Sequence, residues 1–371
     1  MNRYHRQMIL PDIGALGQDA IGNAHVCVIG CGALGCCSAE LLTRAGIGKL
    51  TLIDRDVVEE TNLQRQILFS ERDALNAMPK AEAAKLRLQS INSTTEIESQ
   101  VQDLDATNVG QLVGSADLII DGLDNFESRY LVNDFAVHQG RAYLYGGAVG
   151  TTGLAMPILP HPTSRLASSD VKPNWSASDA TPCLRCIFPE PPAAGSTPTC
   201  DTAGVLASIV TIVASFQVSE AIKIITGNLE RLDRSLFSID LWSNVTHRTD
   251  TSTARNKTCP CCAQGHFEFL DRQREQTTST LCGRSAIQIW PTDFASNGSV
   301  SSVNLEALLS QLEPHGDFRT NGHLIHGSFT HEQGDQDDPI KLLLFQNGRA
   351  VISGTSQTAR ARTLYARYVG M

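Results

Sequence analysis

The feature that most constrains this chain is a glycine run set between two structural elements near its start. The apolar segment HVCVIG, residues 25–30, reads as a strand, and Gly30-Cys31-Gly32-Ala33-Leu34-Gly35 follows without a break. A helix-like segment, ALGCCSAELLTRAG, comes next, then a second strand, KLTLID, at 49–54. Gly30, Gly32 and Gly35 permit a tight turn and close approach of backbone to phosphate, at the positive end of a helix dipole. Asp54 closes the second strand 19 residues after Gly35, where a carboxylate accepts from ribose hydroxyls. A bare glycine motif also suits a turn that binds nothing. Strand, glycines, helix, strand and acid in that order point to a nucleotide.

Two more apolar stretches, ADLIIDGLD at 116–124 and AYLYGGAVG at 142–150, alternate with an Ala/Lys/Leu-rich helical stretch at 79–91. This alternation predicts an α/β fold, a doubly wound Rossmann-like and mostly parallel sheet with helices on both faces. At 371 residues the chain is long for one core, so a second, smaller unit is expected. The division predicted is 1–272 for the nucleotide-binding domain, 273–279 for a polar linker, and 280–371 for a small α+β domain. In the tail, Leu305, Leu308, Leu309 and Leu312 fall on one helix face, and Ala361, Leu364, Tyr365 and Tyr368 repeat the spacing. Asn347-Gly348 between apolar runs marks a hairpin. The tail therefore reads strand, helix, strands with a hairpin, helix. Residues 161–199, rich in Pro, Ser, Asp and Thr, read as a long crossing loop.

Composition narrows the classes. A chain 42% hydrophobic and 19% charged is neither disordered nor fibrous. A net charge of −9 and the lack of a basic stripe argue against nucleic acid as a partner. The first residues, MNRYHRQMILPDIG, do not read as an export signal. The apolar run 205–216 is too short for a bilayer and reads as a buried helix, so no membrane role is expected. A cytoplasmic setting is the expectation, and there eleven cysteines serve as thiols or metal ligands rather than disulfides.

Several residues near the glycine turn carry charge chemistry. Asp56, Asn62, Arg65 and Gln66 follow Asp54 closely, placing a fixed cation and amides beside the expected phosphates, and Lys80 offers a movable point charge. Dehydrogenases bind pyrophosphate with backbone amides and need few such cations, whereas a polyanion gaining charge during reaction needs several. Asp124 falls just past the third apolar strand, where a carboxylate beside phosphates is a natural Mg²⁺ ligand. Spacing alone favours a helix N-cap at Asp124-Asn125.

Cys183-Leu184-Arg185-Cys186 and Cys259-Pro260-Cys261-Cys262 each hold a C-x-x-C knuckle. Two such pairs suit a closed, structural Zn²⁺ site, with a redox pair as the rival. Cys261 can replace either neighbour on spacing, and His266 lies near enough to compete. Cys200 stands before the apolar helix, where a thiol serves as a nucleophile or merely packs.

Taken together, RYHRQ at 3–7, GCGALG, LIDRDVVEETNLQRQ, PKAEAAK, DGLDN, PCLRCIFPEPP, TCDTAGVL and CPCC occur in one order over roughly residues 1–270. In this the chain resembles the MoeB/ThiF/HesA adenylyltransferases, bacterial relatives of ubiquitin-activating enzymes. The resemblance implies that ATP·Mg²⁺ adenylates the C-terminal glycine carboxylate of a ubiquitin-fold sulfur carrier ending in Gly-Gly, releasing pyrophosphate. A sulfur donor then attacks the acyl-adenylate, giving a thiocarboxylate for molybdopterin, thiamine or related sulfur chemistry. It implies a nucleotide set of Gly30, Gly32, Gly35, Asp54, Asp56, Asn62, Arg65, Gln66, Lys80, Asp124 and Asn125, with Asp124 on Mg²⁺. It further implies catalytic roles for Arg6, Arg65, Lys80, Asp124 and Cys200, with Arg6 reaching the nucleotide of the second copy in a homodimer. Cys183, Cys186, Cys259 and Cys262 match the family's zinc tetrad. The nucleophile is already ionised at neutral pH, so the lack of a conspicuous catalytic histidine fits. Two departures stand out. The loop at 161–181 is longer than in the simplest members, and no cysteine follows Cys282, so the tail is not expected to supply sulfur. A nicotinamide oxidoreductase would leave Arg65, Lys80 and the cysteine pairs unexplained, and adenylation of a peptide or small carboxylate is the alternative within the same class.

Overall fold

The computed structural model describes residues 2–162, 174–192, 200–271, 278–280, 286–291, 303–335 and 339–370. The chain forms two compact units: Met1–Leu75 with Pro79–Gln273, and Asn76–Met78 with Arg274–Met371.

The larger unit is built on eight strands: β1 His25–Ile29, β2 Lys49–Ile53, β3 Glu96–Gln100, β4 Leu118–Asp121, β5 Ala142–Val149, β6 Thr152–Ile158, β7 Ser235–Asp240 and β8 Val245–Asp250. Their order is β3-β2-β1-β4-β5-β6-β7-β8. The first five run parallel, and β6, β7 and β8 continue antiparallel. Val26, Cys27, Val28 and Ile29 are all buried, the continuous apolar strand expected where helices cover both faces. Helices Ala33–Ala45, Lys80–Ile91 and Phe126–Gln139 cross between parallel strands. The sheet grows from β1 through β2 to β3 in one direction, and the chain then returns to add β4 on the other side of β1, which opens a crevice at the carboxyl ends of β1 and β4.

From residue 207 the apolar run at 205–216 is helical, and the helix extends over Ala207–Ile225. By length and composition this helix could cross a membrane, yet Ile209, Val213, Val218 and Ile224 are buried in the protein core. Its polar residues Gln217 and Glu220 are satisfied inside. Gln217 Nε2 donates to the Asp121 and Leu144 carbonyls, both at 2.9 Å, and Glu220 Oε2 accepts the Asp233 N–H at 2.9 Å.

The smaller unit carries a six-stranded antiparallel sheet of β9 Thr278–Thr280, β10 Ala286–Ile289, β11 Gly316–Thr320, β12 Leu324–Gln333, β13 Pro339–Phe345 and β14 Ala350–Ser353. The order is β11-β12-β13-β14-β10-β9. Helix Leu305–Leu312 buries Leu305, Leu308 and Leu312, and helix Thr358–Tyr368 buries Ala361, Leu364 and Tyr365. The order strand, helix, hairpin-containing strands, helix is the one read from the sequence. Gly348, at φ +76°, turns the chain between β13 and β14. Thr278 and Ser279, placed in the linker on polarity, instead pair as an edge strand with β10. Residues 272–277 lie outside the described part.

Gly35 decides how closely helix Ala33–Ala45 approaches β1. A Cβ built there would collide with the Gly30 carbonyl oxygen, and Gly30 itself sits at φ +91°. Replacing Gly35 by Ala should cost about 2–3 kcal/mol, as overpacking against backbone does. Thermal denaturation should show the loss, and a Gly35→Ala protein melting with the parent would contradict this packing.

Candidate active site

One carboxylate organises the crevice. Asp54, just beyond β2, accepts the Cys31 N–H on Oδ2 and the Asp56 N–H on Oδ1, each at 2.7 Å. It thus ties the glycine turn after β1 to the loop after β2. Asp54 was expected to serve ribose, but its first duty is to the backbone. Each oxygen still has a second acceptor position. Burial pushes the Asp54 carboxyl up, opposed by the ammonium of Lys80.

Lys80 starts helix Lys80–Ile91 and is buried, and its N–H is held by the Asp56 carbonyl at 2.9 Å. Nζ lies 3.5 Å from Asp56 Oδ2. Burial works against its charge, yet Asp56, Asp54 and Asp124 together hold its pKa above the ordinary lysine value. Arg55, which the sequence reading passed over, pairs with Asp103 at 3.0 Å and Asp56 at 3.7 Å and also feels Asp124. Its only signal was the D-R-D order at the end of β2. Two cations are therefore set among four carboxylates directly beside the glycine turn.

Asp124 is exposed at the mouth of the crevice. The N-cap of helix Phe126–Gln139 is Asn125, whose side chain accepts the Ser128 N–H at 2.8 Å. The capping duty that spacing left between Asp124 and Asn125 therefore belongs to Asn125, and the Asp124 carboxylate meets Asn125 Nδ2 at 3.2 Å. Beneath it lies a buried ion pair that the sequence did not reveal. Arg129 Nε meets Asp121 Oδ2 at 3.2 Å, while Nη2 donates to the carbonyls of Leu123 at 2.7 Å and Gly146 at 2.9 Å. The Tyr143 hydroxyl donates to Asp121 at 2.7 Å. Burial raises the Asp121 carboxyl, and Arg129 counters it.

In the loop at 59–66, Asn62 is buried and its Oδ1 accepts the Glu59 N–H at 3.0 Å, bracing the short 3₁₀ turn Glu60–Asn62. Gln66 is buried too, and its Oε1 has no hydrogen-bond partner among the described residues. An orphaned buried acceptor in this loop is what a site built for a ligand leaves behind. Arg65 donates to the Thr61 carbonyl at 2.9 Å and pairs with none of the crevice carboxylates. Arg6 is exposed on the short helix His5–Met8, without a partner among the described residues. The segment is docked by its neighbours: Gln7 donates to Gln18 at 2.7 Å and to the Ala45 carbonyl at 3.0 Å. Cys200 begins the four-residue helix Cys200–Ala203, and its side chain lies outside the described part.

The four thiols of Cys183, Cys186, Cys259 and Cys262 converge, all within 4.8 Å of one another. Cys183 Sγ lies 3.8 Å from Cys186 and 3.6 Å from Cys259, and Cys186 lies 3.5 Å from Cys262. Four sulfurs bound to zinc at about 2.3 Å stand about 3.8 Å apart, so the donor set and its spacing suit that ion. Cys261 stands outside the tetrad, against Asn133 at 3.4 Å.

Removing Arg129 strands a carboxylate that is wholly buried. Arg129→Met should cost about 3–5 kcal/mol, the usual price of breaking a buried pair on one side. Arg129→Met with Asp121→Asn should recover part of it. Chemical denaturation of the three proteins checks this, and a single mutant no less stable than the double would refute the pairing.

The ThiF family model matches residues 4–261. A sulfur carrier protein ThiS adenylyltransferase of Bacillus subtilis is 38% identical over 99% of both chains. A sulfur carrier protein adenylyltransferase of Thermus thermophilus is 35% identical over 71% of this chain and 90% of the relative. Among solved structures, Escherichia coli MccB with ATP aligns at a TM-score of 0.57 and 25% identity, covering 70% of this chain and 74% of that one. With the glycine turn, the cations and three of the four tetrad thiols within the matched span, the chain belongs to the ThiF family of adenylyltransferases.

Proposed function

We propose that this protein uses ATP to adenylate the C-terminal glycine carboxylate of a small ubiquitin-fold sulfur carrier. The observation that carries the reading is the end-to-end likeness to a carrier adenylyltransferase, at 38% identity through both units. A carrier carboxylate oxygen attacks the α-phosphorus, an O–P bond forms, the bond to the bridging oxygen breaks, and pyrophosphate departs. The acyl-adenylate left behind is open to a sulfur nucleophile, which yields the thiocarboxylate and AMP.

The obstacle in that step is charge, since an anion must approach a polyanion. Gly32 and Gly35 offer backbone N–H groups to the phosphates, Gly30, whose own N–H is held by the Ile53 carbonyl at 2.8 Å, makes the turn, and the Asp54 tie keeps it in place. Lys80 supplies a buried cation that its carboxylate neighbours keep charged. Asp124, with no capping duty, is the carboxylate suited to Mg²⁺, which neutralises phosphate charge when bound. Arg65 keeps donors uncommitted for phosphate, the orphaned Gln66 Oε1 is an acceptor open to the nucleotide, and Asn125 holds Asp124 at the mouth of the site. Arg6, exposed and without a partner among the described residues, is proposed to serve the nucleotide of a second copy in a homodimer. Positioning and electrostatics account for the chemistry without a general base.

ATP–pyrophosphate exchange with a panel of Gly-Gly-ended carriers tests this reading. Exchange should require Mg²⁺ and one carrier, and should fall at least 100-fold in Asp124→Ala and in Lys80→Ala. Tight ATP binding with exchange only toward peptides or small carboxylates would overturn the carrier assignment. The thiol tetrad is read as structural zinc. Purified protein should hold about one zinc per chain, and chelation should lower its melting temperature more than its affinity for ATP.

A further inference from the structure

The two cysteine knuckles lie 76 residues apart in sequence, yet the side chain of one residue touches both. Asn133, in helix Phe126–Gln139, is completely buried. Its Oδ1 accepts the N–H of Leu184 at 2.8 Å, and Leu184 lies between the ligands of the first knuckle, Cys183 and Cys186. Its Nδ2 donates to Cys261 Sγ at 3.4 Å, and Cys261 lies between the ligands of the second, Cys259 and Cys262. The amide can face only one way. Turned over, two donors would meet at Leu184, and its oxygen would be turned on the Asp134 carboxylate, which Nδ2 now approaches at 3.4 Å. Asp134 adds a second brace, accepting the N–H of Phe269 at 3.0 Å just beyond the second knuckle.

We propose that Asn133 is the positioning residue of the four-thiol centre, setting the register of the two knuckles against one helix, and that Cys261 is its sulfur acceptor and not a metal ligand. The inference rests on the tetrad being a metal site. A closed four-thiolate site gains affinity when its ligands are held in place beforehand, because the ordering cost is then met during folding and not during binding. Here the ligands come from a loop and from the end of the unit, neither of which a local turn could align with the other. A buried amide with a donor and an acceptor end is the simplest device that can hold both. Groups in this outer position usually change metal affinity by about 10- to 100-fold.

The test compares the full-length parent with Asn133→Leu, which keeps volume but removes both hydrogen bonds, and with Cys261→Val, which removes the sulfur acceptor together with that thiol's own contacts to Cys183 and Asp134. Zinc affinity is read by competition with a chromophoric chelator, and the ligand set by the absorption spectrum after cobalt(II) substitution. Asn133→Leu should bind zinc about 10- to 100-fold more weakly. Cys261→Val should weaken binding less, retain one metal per chain, and keep the spectrum of four thiolates. If Asn133→Leu does not fold, Cys261→Val alone still decides, since parental affinity there would refute a role for the Asn133–Cys261 contact. A folded Asn133→Leu with parental affinity would overturn the positioning role. Loss of one thiolate from the cobalt spectrum of Cys261→Val would make Cys261 a ligand and overturn its assignment. A parent that takes up neither metal would fail the tetrad itself, a different result from either.

Discussion

The buried pair of Asp121 and Arg129 is the interaction on which the active edge of the larger unit depends. Asp121 ends a central strand with no access to water, a position an isolated carboxylate could not occupy. Arg129 makes it tolerable, and in doing so its guanidinium collects carbonyls from the segment after β4 and from β5. The rings of Phe126 and Tyr145 lie within 5.6 Å and 5.5 Å of the guanidinium carbon, completing an apolar and cationic seal. The helix that follows β4 is thereby locked to the sheet within its first turns. Everything at the mouth of the crevice, the Asn125 cap and the Asp124 carboxylate included, inherits its position from that lock.

Charge in the crevice follows a different logic. Asp121 and Arg129 satisfy each other, whereas the outer group holds more carboxylates than cations. Four carboxylates around Lys80 and Arg55 keep both cations ionised and leave Asp124 turned to solvent. Such a cluster suits exchange of partners: phosphates can take over the cations while the displaced carboxylates turn to a divalent ion. The glycine turn takes part without a side chain, since its hold on Asp54 uses backbone alone.

What could be read from the sequence was what is encoded locally. The glycine turn and Asp54 announce themselves because strand, turn and helix are consecutive. The tail helices were legible from leucine and tyrosine spacing for the same reason. The knuckles were visible as pairs, but C-P-C-C offers three sulfurs on equal terms, and only the convergence of Cys259 and Cys262 on the first knuckle separates them from Cys261. The Asp121–Arg129 pair escaped notice because its partners belong to different elements, and nothing in DGLDNFESR marks which acid will be buried. Spacing alone left the cap between Asp124 and Asn125, since either residue of an Asp-Asn pair can cap. The difference lies in a single backbone step, with Asn125 extended at φ −129° and ψ 151°. Buried Gln217 and Glu220 look like surface residues of the long apolar helix until their partners are seen.

The division of labour between Asp124 and Asn125 has an evolutionary consequence. One neighbour holds the helix and the other faces the solvent, so the fold places no demand on the carboxylate at 124. Exchange of one of its oxygens for nitrogen would leave the cap, the ion pair beneath it and the sheet intact. Under the Mg²⁺ role proposed for Asp124, a lineage of this architecture can thus fall chemically silent in a single codon while keeping its shape and its recognition of other molecules. Inactive descendants that persist as binding proteins are an accessible fate for such a chain, one step from the working enzyme.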